Sequence, residues 1–382
     1  MALASLCRAG NLAALQAYCT QANVTVMQVR EDRVLAQACA DGQLEVARWL
    51  QQTFQLTIDD ARAAGNFALR SACAHGHLGI VYWLQRTFQL TVVDARTWDN
   101  WALLEACEFG HVEVACWLQQ TFQLTAADAR TERNYALRRA CANGHFETAW
   151  WLQQTFQLDA ADARSENNYA LQWACTYGHL EVARWLQQTF LLNAEDARVV
   201  NNIALRRSCE YGHLEVARWL WQTFQLTTVD VRSNDNHAVR LACVNGHLNI
   251  ARWLQQTFHL TRADALNSYV LRGVYAHGHL EVLRWIQHTW GIPILDALAI
   301  IASSPKSAAC ATYLQSLRTL SWSPRTHAEF PFATRRLALL LLLVYQRLTH
   351  EPGLLPPLPP ELWQHLLSYL PTYLPTYLPT YL

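Results

Sequence analysis

The chain has 382 residues, with 30 basic and 30 acidic side chains and a formal net charge of zero. That length supports a large buried core, and the charge balance removes the electrostatic footprint expected of a nucleic-acid binder. No apolar run reaches membrane-spanning length, the longest being the nine residues Leu337–Tyr345.

Residues 1–30 read as a capping unit. Cys7–Cys19 (CRAGNLAALQAYC) keeps a small-residue turn at Gly10 and lacks the tryptophan of later units, as expected where a stack ends. Met1–Gln16 already reads as a repeat fragment carrying Arg8, so no secretory leader is expected.

Residues 31–290 hold a regular array. Its glycines, Gly10, Gly42, Gly76, Gly110, Gly144, Gly178, Gly212, Gly246 and Gly278, are 32 or 34 residues apart. Histidine follows seven of them, tryptophan stands seven residues after eight of them, and cysteine three before eight of them. A fixed period of this size marks stacked supersecondary units with one continuous core. In the copy Asn167–Thr189 (NNYALQWACTYGHLEVARWLQQT), a first helix is predicted over about Asn168–Tyr177, with Tyr169, Ala170, Leu171, Ala174 and Cys175 inward. Gly178 ends it, and a second helix follows over about Leu180–Phe190, its apolar residues at helical spacing. Arg184, Gln187 and Gln188 are left to solvent.

Thr125-Ala126-Ala127-Asp128 has the form of a capping box, predicting a short third helix over Ala126–Arg130. The Asp-Ala-Arg triplet recurs at Asp60, Asp94, Asp128, Asp162 and Asp196, and Asp230 has Val231 after it. Its charges are expected to form exposed ion pairs, within or between repeats, of small energetic weight.

The 34-residue period also fits tetratricopeptide repeats, but their tryptophan, glycine, tyrosine and terminal proline positions are absent. Ala136–Leu152 (ALRRACANGHFETAWWL) and Gly178–Leu186 (GHLEVARWL) instead resemble the ankyrin repeat, in seven good copies and two weaker ones. The resemblance covers about half of each repeat. Asn134-Tyr135-Ala136-Leu137 stands where that family has Thr-Pro-Leu-His, and the glycine-rich hairpin tip is replaced by Phe-Gln-Leu-Thr-Ala-Ala-Asp-Ala-Arg. The expected fold is therefore all-α: an ankyrin-like α-solenoid of about nine helix-turn-helix repeats over residues 1–320, with short helices in place of β-hairpins.

Chemistry is sparse. The histidines come one per repeat and are too far apart to share a metal, so hydrogen bonding at the turns explains them better. No Cys/His cluster has zinc spacing, no glycine loop suits a phosphate, and no nucleophile, base and orienter can be assembled. No cofactor, metal or catalytic residue is assigned, and the chain is expected not to be an enzyme. The cysteine column has one member per repeat, about 10 Å apart. That exceeds disulfide reach and points to reduced thiols in an intracellular, cytoplasmic setting.

Positions that repeat identically build the scaffold, and positions that vary are free to read a partner. The two residues before each glycine vary, as do the residue five before it and the segment after Asp-Ala-Arg. In ankyrin-like arrays the first-helix side and the inter-repeat tips form the concave binding surface. By position, the resemblance makes Trp98, Phe109, Arg139, Trp173, Tyr177, Arg207 and Tyr211 candidate contacts for a target protein. Aromatic and arginine side chains dominate such contacts. A monomer is expected.

Ile292-Pro293 opens the closing region, with a last degenerate helix over Lys306–Arg318. Residues 321–370 change character: a polar tract, an apolar helix over Pro331–Leu348, a proline-rich hinge, then Leu358–Leu370 (LPPELWQHLLSYL). That last stretch resembles the start of an F-box, with Pro359, Leu362, Leu366 and Leu367 at its Skp-docking anchors. The order of elements resembles a SOCS box equally, which couples ankyrin arrays to elongin and a cullin. Either resemblance implies a ubiquitin-ligase adaptor. The alternatives are a helical segment that only caps the array, and a plain binding or host-interaction module. Residues 371–382 repeat Pro-Thr-Tyr-Leu and are expected to be extended and poorly ordered.

Overall fold

The computed structural model describes residues 2–31 and 33–290, together with Cys310 and Thr312. Among these residues there are 24 helices and no strand, the all-α class expected. The chain divides into two compact units, Met1–Ser208 with Glu215–Leu226, and Cys209–Leu214 with Thr227–Leu382. Within each unit the same three-helix repeat is stacked on its neighbour.

One copy shows how sequence sets the repeat. The helix Leu180–Phe190 has the predicted bounds and buries Val182, Ala183, Leu186 and Phe190. It ends on a residue in the left-handed region, Leu191 here and Gln123 or Gln157 in other copies. The next residue, Leu192, returns its N–H to the Gln187 carbonyl and buries its side chain, a Schellman-type stop with its apolar contact. The short helices also form as predicted. Ala126–Ala129 is opened by a capping box between Thr125 and Asp128, and Val92–Ala95 by Thr91 and Asp94.

The short helix does not run smoothly into the next long one. Three successive residues intervene in left-handed conformation: Trp98-Asp99-Asn100, Glu132-Arg133-Asn134 and Glu166-Asn167-Asn168 in consecutive repeats. L-residues pay about 1–2 kcal/mol each there, so contacts must hold the turn. Arg138 supplies them by donating to the carbonyls of Arg133 and Glu132, both at 2.9 Å. Arg70 does the same to Gly65 and Ala64, and Arg206 to Asn201 and Val200. The third left-handed residue is always asparagine, the non-glycine residue best suited to that region. Asn66, Asn100, Asn134, Asn168 and Asn202 are buried, and the side chain reaches the next repeat where Asn168 Nδ2 donates to Asp196 Oδ1 at 3.2 Å and Asn66 Nδ2 to Thr97 Oγ1 at 2.7 Å.

Repeats are tied by two further devices. In the first unit Arg30, Arg62, Arg96, Arg130 and Arg164 each grip the aspartate of the following repeat with two hydrogen bonds. For Arg96 and Asp128 these are 2.7 and 2.9 Å. In the second unit Arg232 grips Asp264 in the same way. The ion pairs are therefore inter-repeat. The expectation that they are exposed is corrected on one side: Asp94, Asp128, Asp162 and Asp196 are buried, because the same carboxylate also caps its own short helix.

The second device is the histidine. His77 Nε2 donates to the Ala40 carbonyl and His111 Nε2 to that of Ala74, each at 3.0 Å, binding one turn to the preceding one. The ring then lies on the preceding glycine. A Cβ on Gly110, where φ is +78°, would fall 2.5 Å from His145 Nδ1. Glycine is thus fixed twice, by its backbone conformation and by its neighbour's imidazole. At the first turn Gln43 replaces histidine, lies on Gly10 and donates to the Arg8 carbonyl at 3.4 Å.

The cysteine column is buried and makes no disulfide among the described residues, with Cys73, Cys107, Cys141 and Cys175 fully enclosed. Seven repeat tryptophans pack edge-on against the phenylalanine five residues later, as Trp151 does on Phe156 with centroids 5.5 Å apart, and Trp285 packs on Trp290 in the same way.

Candidate protein-interaction face

The long first helices present one stripe that the core does not consume. Ala170, Leu171, Ala174 and Cys175 point inward as expected. Tyr169 does not. It stands at i, i+4 and i+8 with Trp173 and Tyr177, so the three share the outer stripe of that helix. Their rings are in sequence, 5.4 Å from Tyr169 to Trp173 and 5.3 Å from Trp173 to Tyr177. The Arg138 guanidinium of the preceding repeat lies 4.8 Å over Tyr169. The stripe therefore runs across repeats.

One repeat earlier it is knit by charge. Tyr135 donates its hydroxyl to Glu108 Oε2 at 2.8 Å, and Arg139 donates through Nε and Nη2 to Glu108 Oε1. Asn143 donates to the Glu108 carbonyl at 2.7 Å. Burial and the Glu108 carboxylate push the Tyr135 hydroxyl up to about 12. Trp101 stacks at 5.7 Å on Tyr135 and donates its indole N–H to Glu105 Oε1 at 2.7 Å. Burial pushes the Glu105 carboxyl above its ordinary range, against the pull of Trp101 and Arg70.

The predicted contact residues sort unevenly on this surface. Phe109 and Tyr177 are about half exposed, at 51% and 47%, just before their glycines. Tyr211 has similar exposure, 49%, in the second unit. Trp98 is 59% exposed at the left-handed turn, with the Arg70 guanidinium 4.1 Å from its ring and Gly65 beneath it. Trp173 and Arg207 are partly exposed. Arg139 is on the face, but its guanidinium is committed to Glu108. The structure joins Trp173 and Tyr177 in one stack and leaves the other candidates spread along successive repeats. Pro359, Leu362, Leu366 and Leu367 lie outside the described residues, as do the predicted last helix apart from Cys310 and Thr312 and the Pro-Thr-Tyr-Leu tail.

Sequence reading missed the aromatic row nine residues before the glycines: Phe67, Trp101, Tyr135 and Tyr169. Its signal was present, since an aromatic recurs there between an asparagine and an Ala-Leu pair that do not change in these four copies.

Residues 103–196 match the family model of ankyrin repeats, in three copies. The match begins within the Trp101 helix and ends at Asp196, so it covers the knit part of the face. The ankyrin-like geometry extends beyond it. The histidine-on-glycine contact is formed at Gly42 and Gly76 before the matched segment and at Gly212 and Gly246 after it. No curated protein matches the chain. Ankyrin repeats support a protein–protein interaction role. Among the described residues no group of histidine, cysteine, aspartate or glutamate is placed to hold a metal ion, and no helix is long and apolar enough to cross a membrane.

Proposed function

We propose that this chain is a non-catalytic binding scaffold that holds a target protein on its first-helix face, and that residues 321–370 dock it to a cullin-type ubiquitin ligase. The observation that supports target binding is the division of labour among positions. Fixed residues are consumed by inter-repeat contacts, as Arg96, Asp128 and His111 are. Varied ones leave Phe109, Tyr177, Tyr211 and Trp98 at the surface, each about half exposed. Exposed rings of this kind bury large area at low entropic cost on association. In ankyrin-like proteins this side is the concave one. The ligase-docking part rests on the sequence alone: Pro359, Leu362, Leu366 and Leu367 stand at the anchor positions of an F-box or SOCS-type box, taking a Skp-type or elongin–cullin adaptor. The mechanism is proximity, raising the effective concentration of target at the ligase.

Affinity capture from eukaryotic lysate with the full chain tests both parts. Trp173→Ala with Tyr177→Ala is expected to lose the target and keep the ligase subunits. Leu362→Arg with Leu366→Arg is expected to do the reverse. Capture of the same target by the first variant would overturn the face. Absence of any Skp, elongin or cullin subunit from the wild-type capture would reduce the function to a plain binding module.

A further inference from the structure

The outer faces of the second helices carry a local exception to the repeat. The position six after each glycine is arginine in five copies: Arg48, Arg184, Arg218, Arg252 and Arg284. Three residues earlier stands a glutamate in most copies, and the two pair along the helix, as Arg48 does with Glu45, Arg218 with Glu215 and Arg284 with Glu281. This is an ordinary solvated helix face. In three consecutive repeats the arginine is gone, replaced by Tyr82, Cys116 and Trp150. Tyr82 and Trp150 are as exposed as the arginines they replace, at 45% and 49% against 48% for the Arg48 side chain. Tyr82 also lies against Trp117 of the next repeat, with centroids 5.1 Å apart, so the apolar surface continues across the repeat boundary.

The glutamates were not removed with the arginines. Glu113 and Glu147 remain exposed, and neither has a hydrogen bond or ion pair among the described residues. The result is a row of apolar side chains flanked by two bare carboxylates one repeat apart. A repeat advances about 10 Å, which is the rise of seven residues of α-helix, about 10.5 Å. We infer that the Tyr82–Trp150 face is a second docking surface, and that its partner is a cationic amphipathic helix of another protein. Arginine or lysine at i and i+7 of that helix supplies Glu113 and Glu147 with the cations the array omits, and its apolar side packs on Tyr82, Cys116 and Trp150. This face is distinct from the first-helix stripe and does not depend on that stripe's target.

The test is calorimetric titration of the full chain with a synthetic helix of about 18 residues, leucine and alanine on one face and arginine at i and i+7. A control peptide carries glutamate at those two places. The informative variant is Tyr82→Arg with Cys116→Arg and Trp150→Arg, because arginine already occupies this position in five repeats and is compatible with the fold. The arginine peptide is expected to bind the wild type at least about tenfold tighter than the variant, and the glutamate peptide to bind neither. Glu113→Gln with Glu147→Gln leaves the apolar row intact and is expected to weaken the arginine peptide several-fold. Equal binding by wild type and the triple variant, or no binding by either, would overturn the inference. So would sedimentation showing a wild-type dimer that the triple variant abolishes, since a second copy would then cover the face.

Discussion

Two glycines in adjacent repeats should respond oppositely to the same methyl group. Gly110 sits at φ +78°, and a Cβ there would fall 2.5 Å from Nδ1 and 2.7 Å from Cγ of His145. Alanine in the left-handed region costs about 1–2 kcal/mol. Displacing the imidazole adds about 1 kcal/mol for its hydrogen bond to the Glu108 carbonyl. Gly110→Ala is therefore expected to cost about 2–3 kcal/mol. Gly79 lies in the helix Leu78–Phe88, and a Cβ there would meet nothing within 4 Å. Gly79→Ala should stabilise by about 0.5–1 kcal/mol through helix propensity. Urea unfolding followed by circular dichroism reads both. His145→Ala in the Gly110→Ala background should return the steric part, leaving a coupling near 1 kcal/mol in the double-mutant cycle. Equal effects of the two alanines, or zero coupling with His145, would refute the account of why glycine and histidine recur together.

Asp128→Ala is expected to lose about 1–2 kcal/mol from the helix cap alone, because the carboxylate holds the Thr125 N–H and hydroxyl at 2.7 and 2.9 Å. Thermal melts of Asp128→Ala against Asp59→Ala, an exposed neighbour of another node, check this. Acid should act on the whole ladder. Burial pushes Asp94, Asp128, Asp162 and Asp196 up, but the arginine and backbone hydrogen bonds outweigh it and leave them below the ordinary carboxylate range. Such groups stabilise above the unfolded value and lose that contribution as pH falls through the folded one. Burial lowers His111, His145, His247 and His279 too. Their contribution is complete above the unfolded histidine range and declines as pH falls. Stability should thus decrease from about pH 6.5 downward and steepen below about pH 4, measured as the urea midpoint against pH. Alkylation should distinguish the thiols: Cys116 is partly exposed and reacts in the native state, whereas Cys107, Cys141 and Cys175 wait for unfolding.

The elements governed by local rules were legible in the sequence. The bounds Leu180–Phe190, the capping box at Thr125 and the helix stop at Gly178 follow from spacing and backbone preference. The turns of three left-handed residues were not, because local propensity places single asparagines or aspartates there and does not favour a run of three such as Trp98-Asp99-Asn100. Such turns are held by side-chain bonds instead: Arg138, five and six residues on, clamps the carbonyls of the Glu132 turn, and Asn168 of the Glu166 turn bonds to the next repeat. The asparagines at 34-residue spacing, Asn66 to Asn236, were the available signal, obscured by the variable residues before them. The burial of Asp128 was hidden for a similar reason: a triplet that looks solvated serves two repeats at once. At the candidate site, exposure before the glycines was readable from variation. That Arg139 is spent on Glu108 was not, since the pairing joins two varied positions in different repeats.

The proposed function has the exposed rings of the first helices meet the partner. A photo-crosslinking residue at Tyr177, compared with one at Gln188 on the second helix of the same repeat, tests it most directly. A covalent adduct with a target protein is expected from Tyr177 and none from Gln188. Adducts of equal yield at both positions, or at Gln188 alone, would contradict it.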